Sequence, residues 1–441
     1  MHYIILILLI LLCGCHTDDL KSSVIELEEP KLTLKIDSLF IKEKSFQSIN
    51  PMDSMYFTYW NKPPSVELFH KHGSLIISGK KTETETISVR YKNQTKSISI
   101  FLQPVPAVYT NTYIRNNTGK VNIGTPEVYE LAHIVLALHD TLVRKTFRMN
   151  LKSDYFSDVY QWFSPYKQHP VFSSLSNVDF YSFIENAPAY QFKENRIVPD
   201  RIYTGFRAKN RFKTLIPLLE DFAEKSRFRA FYRSKHDYYH HLAEQFSQMV
   251  NPKNIWIWLE HHFPQRYQSH RVFFSTLGRG SHSARNIRQN QFSESVMFVS
   301  SPDNYSDNDK LIASAKLTRS FFTEIDHTYV NPTSDMFINE INQSLSNLNI
   351  WYSKKGYALP YLTFNEYITW ALFTAYAWEN YPEKTYLYIK NYIEQFMENK
   401  RGFIRFSEFN QFFIQLYKQE KHDHTLPEMY PKILQWFKES A

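Results

Sequence analysis

Glu324 and His327 stand three residues apart in the run Thr323-Glu324-Ile325-Asp326-His327, a spacing that stacks a carboxylate and an imidazole on one helical face. The run is the pattern His-Glu-x-x-His short of its first histidine. In the full pattern, imidazoles at i and i+4 hold a zinc ion and the glutamate between them takes a proton from the metal-bound water. Here Thr323 occupies the first ligand position, and a neutral hydroxyl is a poor zinc ligand beside imidazole or carboxylate. The plain alternative is an ion pair on an ordinary helix. Glu366 is the next carboxylate that needs an explanation. It sits among Phe364, Tyr367, Ile368 and Trp370 in a stretch apolar on nearly every side, and a buried carboxylate must be paired, hydrogen-bonded or metal-bound. It is either a further ligand or the acid of a capping box, Thr363-x-x-Glu366, returning to the Thr363 amide.

The element that positions the first pair is Leu311 to Pro332, expected as one helix. Asn308 or Ser306 caps it, Asp307 and Asp309 favour the positive end of its dipole, and Pro332 stops it. Leu311, Ala315, Phe322, Ile325 and Tyr329 form its apolar stripe. Glu366 belongs to a buried helix over Phe364–Glu379. Further helices are expected at Pro126–Val143, Tyr155–Phe163, Leu215–Phe231 and His236–Val250. On the last, His236 and His240 are i,i+4, as are Asp237 and His241, a second place to grip a metal or simply a partly exposed amphipathic face. His261, His262 and His270 flank Pro264 in an expected surface loop. Arg271–Thr276 is expected as a strand, and the turn Leu277-Gly278-Arg279-Gly280-Ser281-His282 brings His282 to the rim of the site.

Ahead of this body, residues from Ser22 to Gln103 alternate with period two. Strands are expected at Ser23–Glu28, Lys31–Asp37, Met55–Trp60, Ser74–Ser78, Glu85–Lys92 and Lys96–Leu102, the last two as a hairpin about Asn93-Gln94. Pro104, Pro106 and the polar run Thr110–Gly124 end the alternation. The start has another logic: Ile4–Leu12 is an apolar run too short to span a membrane, followed by Leu12-Cys13-Gly14-Cys15, the form of a bacterial lipoprotein signal cut before a lipid-bearing cysteine. Cys13 leaves with the signal and Cys15 is acylated, so no disulfide and no thiolate metal site is expected. The 51 basic and 44 acidic residues give a modest +7 without a basic cluster, which argues against a nucleic-acid binder.

Several stretches taken in order resemble a family of exported bacterial proteins catalogued only as a domain of unknown function: Pro126–Leu131, Trp162–Pro170, Leu218–Phe222, the strand and turn ending at His282, and Thr323–Pro332. The resemblance covers residues from Thr125 to Trp436. The family's motif is similar to His-Glu-x-x-His-x-x-x-Asn-Pro, which implies a metallopeptidase-like domain. Carried over, Glu324 matches the general base and His327 the second ligand, while Glu366 is placed as third ligand by analogy with zinc peptidases in general. Because Thr323 departs from the motif, three outcomes stay open. The site is dead, or His282 or Asp326 completes it, or Glu324 becomes a ligand beside His327 in a carboxylate site that favours iron or manganese over zinc.

The expectation is therefore an α+β chain. It has a signal over residues 1–15 with Cys15 as anchor, a tether over 16–22, a β-rich module over 23–105, a linker over 106–124, and a mainly helical, zincin-like domain over 125–441. Its expected role is that of a lipid-anchored cell-envelope protein with one divalent metal and a peptide or protein substrate, or a degenerate, non-catalytic relative; Tyr361 or Tyr367 is a candidate to steady an oxyanion. The competing expectation is a non-catalytic surface lipoprotein that binds protein or glycan.

Overall fold

The computed structural model describes residues 107–139, 149–176, 178–206, 210–280, 283–289 and 291–440, and ahead of these the backbone of strands between 24 and 104. The expected lipid-bearing Cys15, the strand Met55–Trp60, the end of the helix expected to Val143, and His282 lie outside the described residues. The chain divides into two units, Met1–Gln103 and Pro104–Ala441.

The first unit is built of antiparallel pairs: β1 (Val24–Glu26) with β2 (Leu32–Lys35), β3 (Val66–Lys71) with β4 (Ser74–Gly79), and β5 (Thr84–Tyr91) with β6 (Gln94–Phe101). In the last hairpin Ile87 is opposite Ile98 and Tyr91 opposite Gln94, so Gln94 belongs to the strand and not to the turn expected at Asn93-Gln94. Strand β3 is an addition to the expected set. In its sequence, VELFHK, the apolar residues Val66, Leu68 and Phe69 do not keep a strict period of two, so the alternation is blurred.

The second unit begins where a linker is expected. Instead, α1 (Asn111–Asn117) starts at Thr110, whose hydroxyl accepts the Tyr113 amide, and β7 (Val121–Gly124) follows. Strand β7 pairs in parallel with β8 (Ser269–Ser275), so the polar run belongs to the fold of the larger unit. The sheet has the order β9-β10-β8-β7, with β9 (Ser283–Gln289) antiparallel to β10 (Phe292–Ser300) at one edge and the other three strands parallel.

Helices cover both faces of this sheet. On one lie α2 (Glu127–Leu138), α3 (Asp154–Phe163), α4 (Phe180–Asn186), α5 (Arg211–Lys225) and α6 (Phe228–Ser234). On the other are α7 (His236–Val250), α8 (Pro252–His262), α9 (Lys310–Ile325), α10 (His327–Asp335), α11 (Pro360–Asn380), α12 (Glu383–Gln395), α13 (Phe406–Glu420) and α14 (Leu426–Glu439). The pleat divides the apolar side chains between the two cores. Val272, Phe274, Met297 and Val299 enter the α9 side, while Phe273, Val296 and Phe298 enter the α2 side. The fold is thus α+β, with small antiparallel pairs first and a mainly helical body around a mixed sheet after them.

Three helix expectations change. The helix expected over Leu215–Phe231 is two, α5 and α6, because Arg227 turns left-handed at φ 56° between them. The helix expected over Leu311–Pro332 is also two, broken at Asp326, and Asp309 caps its start through the amides of Leu311 and Ile312. Pro332 lies inside α10. Its missing N–H would have served the carbonyl of Thr328, and the Tyr267 hydroxyl donates to that oxygen instead at 2.9 Å. Finally, the histidines flanking Pro264 are no surface loop as a group. His262 ends α8 buried against Tyr417 (Nε2 to Oη, 2.7 Å), and His270 is fully buried in β8 beside Trp256.

Candidate functional site

The break at Asp326 sets Glu324 in the last turn of α9 and His327 in the first of α10, and both face α11. There the His327 Nε2 lies 3.8 Å from Glu366 Oε1, with the imidazole 27 % and the carboxylate 8 % exposed. Asn331 orients the imidazole. Its Oδ1 already accepts an N–H from Asn365 at 3.2 Å, so at 3.3 Å from His327 Nδ1 it accepts again, and Nδ1 carries the proton. Nε2 is the side that faces Glu366. An acceptor behind one ring nitrogen and a carboxylate before the other is the arrangement that supports a metal-binding histidine.

The rest of the arrangement is different. Glu366 Oε2 accepts from Arg401 Nη1 at 2.7 Å and from Trp370 Nε1 at 3.1 Å. The Arg401 guanidinium is wedged among rings, 4.9 Å from the centres of both Tyr357 and Trp370 and 5.2 Å from Phe403. A π-helical segment, Phe396–Arg401, delivers it, and Gly402 follows in the left-handed region at φ 86°. A Cβ on Gly402 would stand 2.7 Å from Ser353 Oγ, so any other residue would have to move that side chain as well as adopt a strained backbone. Arg319, one helical turn before Thr323, lies over the Trp370 ring at 4.8 Å.

Charge in this enclosed place decides protonation. Burial pushes the Glu366 carboxyl up, but Arg401 and then His327 outweigh it and hold it below the ordinary glutamate range. Glu324 has no such partner: burial, and then the neighbouring Glu366, push it up to about 8, with Arg401 and Arg319 opposing more weakly. Asp326 is fully buried and is also raised, by burial and then by Glu366 and Glu324. Its carboxyl lies near the His327 amide and the Thr369 hydroxyl without a well-formed hydrogen bond to either.

The expected site residues therefore separate. Glu324, His327 and Glu366 come together. Thr323 turns back on its own helix, its hydroxyl donating to the Arg319 carbonyl at 3.0 Å. Tyr361 hydrogen-bonds Asp335 (Oη to Oδ1, 2.7 Å) and the Asn331 carbonyl at the other end of α10. Tyr367, next in sequence to Glu366 but about 100° around the helix, points into the core, where its hydroxyl donates to the Trp351 carbonyl at 3.0 Å. The capping-box explanation of Glu366 does not hold. Helix α11 starts at Pro360, Leu359 is its N-cap, and the Thr363 hydroxyl donates to the Tyr357 carbonyl. The second histidine group, His236, Asp237, His240 and His241, lies on the solvent face of α7, with His240 3.4 Å from Glu244.

A catalytic zinc takes three protein ligands and keeps a position open for water. The described residues do not fit it: Thr323 is turned away, one Glu366 oxygen is spent on Arg401 and Trp370, and among the described residues no three His, Cys, Asp or Glu side chains form a group able to hold an ion. A guanidinium sits where charge balance at Glu366 calls for a cation. Arg401 and Arg319 are the residues that sequence reasoning missed, since neither stands at a helical spacing from Glu366.

The edge strand completes the surroundings. Arg285 on β9 pairs with the buried Glu185 of α4, Nη2 to Oε2 at 2.8 Å, and the Glu185 charge is felt at Glu324. An antiparallel edge strand thus runs beside the cluster. No family model matches this chain, and no curated protein or solved structure matches it.

Proposed function

We propose that this chain is a lipid-anchored protein of the bacterial cell envelope. Its larger unit is a metallopeptidase-like domain that binds an extended peptide and does not cleave it through a metal. The Arg401–Glu366 pair carries this reading. Its 2.7 Å contact gives the third candidate ligand a fixed cation of its own, held by three aromatic rings, so a metal would have to share this carboxylate with a desolvated guanidinium. Glu324 supports it. Burial, and then Glu366, push its carboxyl up to about 8, which favours the form that donates a hydrogen bond. The peptide class rests on β9, which closes the sheet on one side and offers its outer edge to another strand beside the cluster. The anchor rests on Leu12-Cys13-Gly14-Cys15; among the described residues no helix is long and apolar enough to cross a membrane.

The test is elemental analysis of the full chain in detergent after exposure to zinc, iron and manganese, run with a cleavage assay on a random peptide library. Substoichiometric metal, no cleavage and retention of a subset of peptides are expected. One tightly held ion per chain, with hydrolysis abolished by Glu324→Gln, would overturn the proposal.

A further inference from the structure

A cleft of about 460 Å³ opens on elements the cluster above does not use. Its walls are the first turns of α3, the start of α7 and the chain just after β10, so it lies outside the carboxyl ends of β8 and β10. In sheets with parallel strands and helices on both faces, ligands settle at this edge. Tyr238 marks the position: its hydroxyl lies 3.3 Å from Thr276 Oγ1, just past β8, and donates to Asp303, just past β10.

The lining is polar and nearly balanced in charge. Asp154, Asp158 and Asp303 supply carboxylates, and Lys152 and Lys235 supply ammonium groups. Asp158 and Lys235 are paired at 2.6 Å, and Asp303 also accepts from Ser301 at 2.7 Å, so these groups are held in place before any ligand arrives. The half-exposed Tyr238 ring stacks on buried Tyr155, 5.3 Å between centres and 18° between planes. Below the stack, the Tyr155 hydroxyl donates to Glu130 Oε1 at 2.7 Å and meets Tyr239 Oη at 2.5 Å. Glu130 is fully buried and its Oε2 has no hydrogen-bond partner. The floor therefore rests on a buried polar network, an expensive thing to place under an idle surface.

We infer that this cleft binds a neutral polyhydroxylated ligand, a sugar. Three carboxylates repel a phosphate or a polyanion, and among the described residues no group here could hold a metal ion. An apolar ligand would leave five charged groups and a phenol without water. Vicinal hydroxyls match what remains, because a carboxylate accepts two of them, an ammonium donates to several oxygens, and a tyrosine ring gives a face for the C–H side of a pyranose. The inference does not rest on the peptide reading, since the two sites share no residue.

The test is saturation-transfer NMR and calorimetry on the full chain in detergent. The probes are glucose, galactose, mannose, N-acetylglucosamine and the β-1,4-linked tetramers of glucose and N-acetylglucosamine, with inorganic phosphate as the contrasting ligand. Transfer to ring protons of at least one sugar is expected, weakened at least tenfold by Asp303→Asn and by Lys152→Met and unchanged by Glu324→Gln. Lys152 is exposed, so its variant keeps the test decisive should Asp303→Asn disturb folding. Absence of transfer from every sugar, transfer unaltered in Lys152→Met and in any folded Asp303→Asn, or binding of phosphate in place of sugars would overturn the inference.

Discussion

Replacing Glu324 by glutamine should stabilise the protein at alkaline pH and leave it almost unchanged in mild acid. Burial, and then Glu366, raise this carboxyl from the ordinary 4.5 to about 8. Between those values the folded chain holds a proton that the unfolded chain has released, so stability falls as pH rises across the window. Each tenfold change in proton affinity corresponds to about 1.4 kcal/mol, which sets a ceiling of roughly 5 kcal/mol at pH 9 and under about 1 kcal/mol at pH 5. Solvent reaches part of the side chain, and screening reduces the alkaline figure to about 2 kcal/mol. Glutamine keeps the shape of the protonated acid and has nothing to ionise, so the variant loses this slope. Urea titrations at pH 5, 7 and 9 followed by tryptophan fluorescence report on the larger unit, since only Trp60 lies outside it. A wild-type and variant difference that is the same at all three pH values would refute the reasoning. So would a variant less stable at pH 9, the result expected if a bound cation kept Glu324 ionised.

The ion pair makes its own predictions. Arg401→Met leaves Glu366 buried without its cation and should cost about 3–5 kcal/mol at pH 7. The wild-type contribution is present above the ordinary glutamate range and lost as pH falls through the depressed value, so the penalty should shrink in acid, and Glu366→Gln in the Arg401→Met background should recover much of it. Thr323→His alone should bind no stoichiometric zinc by elemental analysis, whereas Thr323→His with Arg401→Met should, because the pair of changes supplies the missing imidazole and frees Glu366. Cys15→Ala should move the protein from the membrane to the soluble fraction on centrifugation and abolish incorporation of labelled palmitate.

How far the sequence discloses this molecule depends on how far apart the interacting parts lie. Local signals serve well. Helix α7 occupies the expected His236–Val250, and β5 and β6 form the expected hairpin with only the turn displaced, because each is written into neighbouring residues. Signals with distant partners fail. Pro332 reads as a stop and is tolerated because Tyr267, from a different part of the fold, satisfies the stranded carbonyl of Thr328. The run Thr110–Gly124 reads as a linker because the partner of its strand, β8, begins only at Ser269.

The site shows the same asymmetry with more at stake. Thr323 is visible as a departure from the motif because it sits inside a five-residue pattern. Arg401 is invisible as the cation of Glu366, because it reaches that carboxylate through a π-turn and a cage of rings with no spacing to announce it. The two belong together. Glu366 buried with neither a metal nor another cation beside it would be an uncompensated carboxylate, at a cost of several kcal/mol. An arginine at 2.7 Å removes that cost. Thr323 in the motif and Arg401 at Glu366 are therefore two halves of one charge arrangement, and only the half confined to neighbouring residues can be read from the chain.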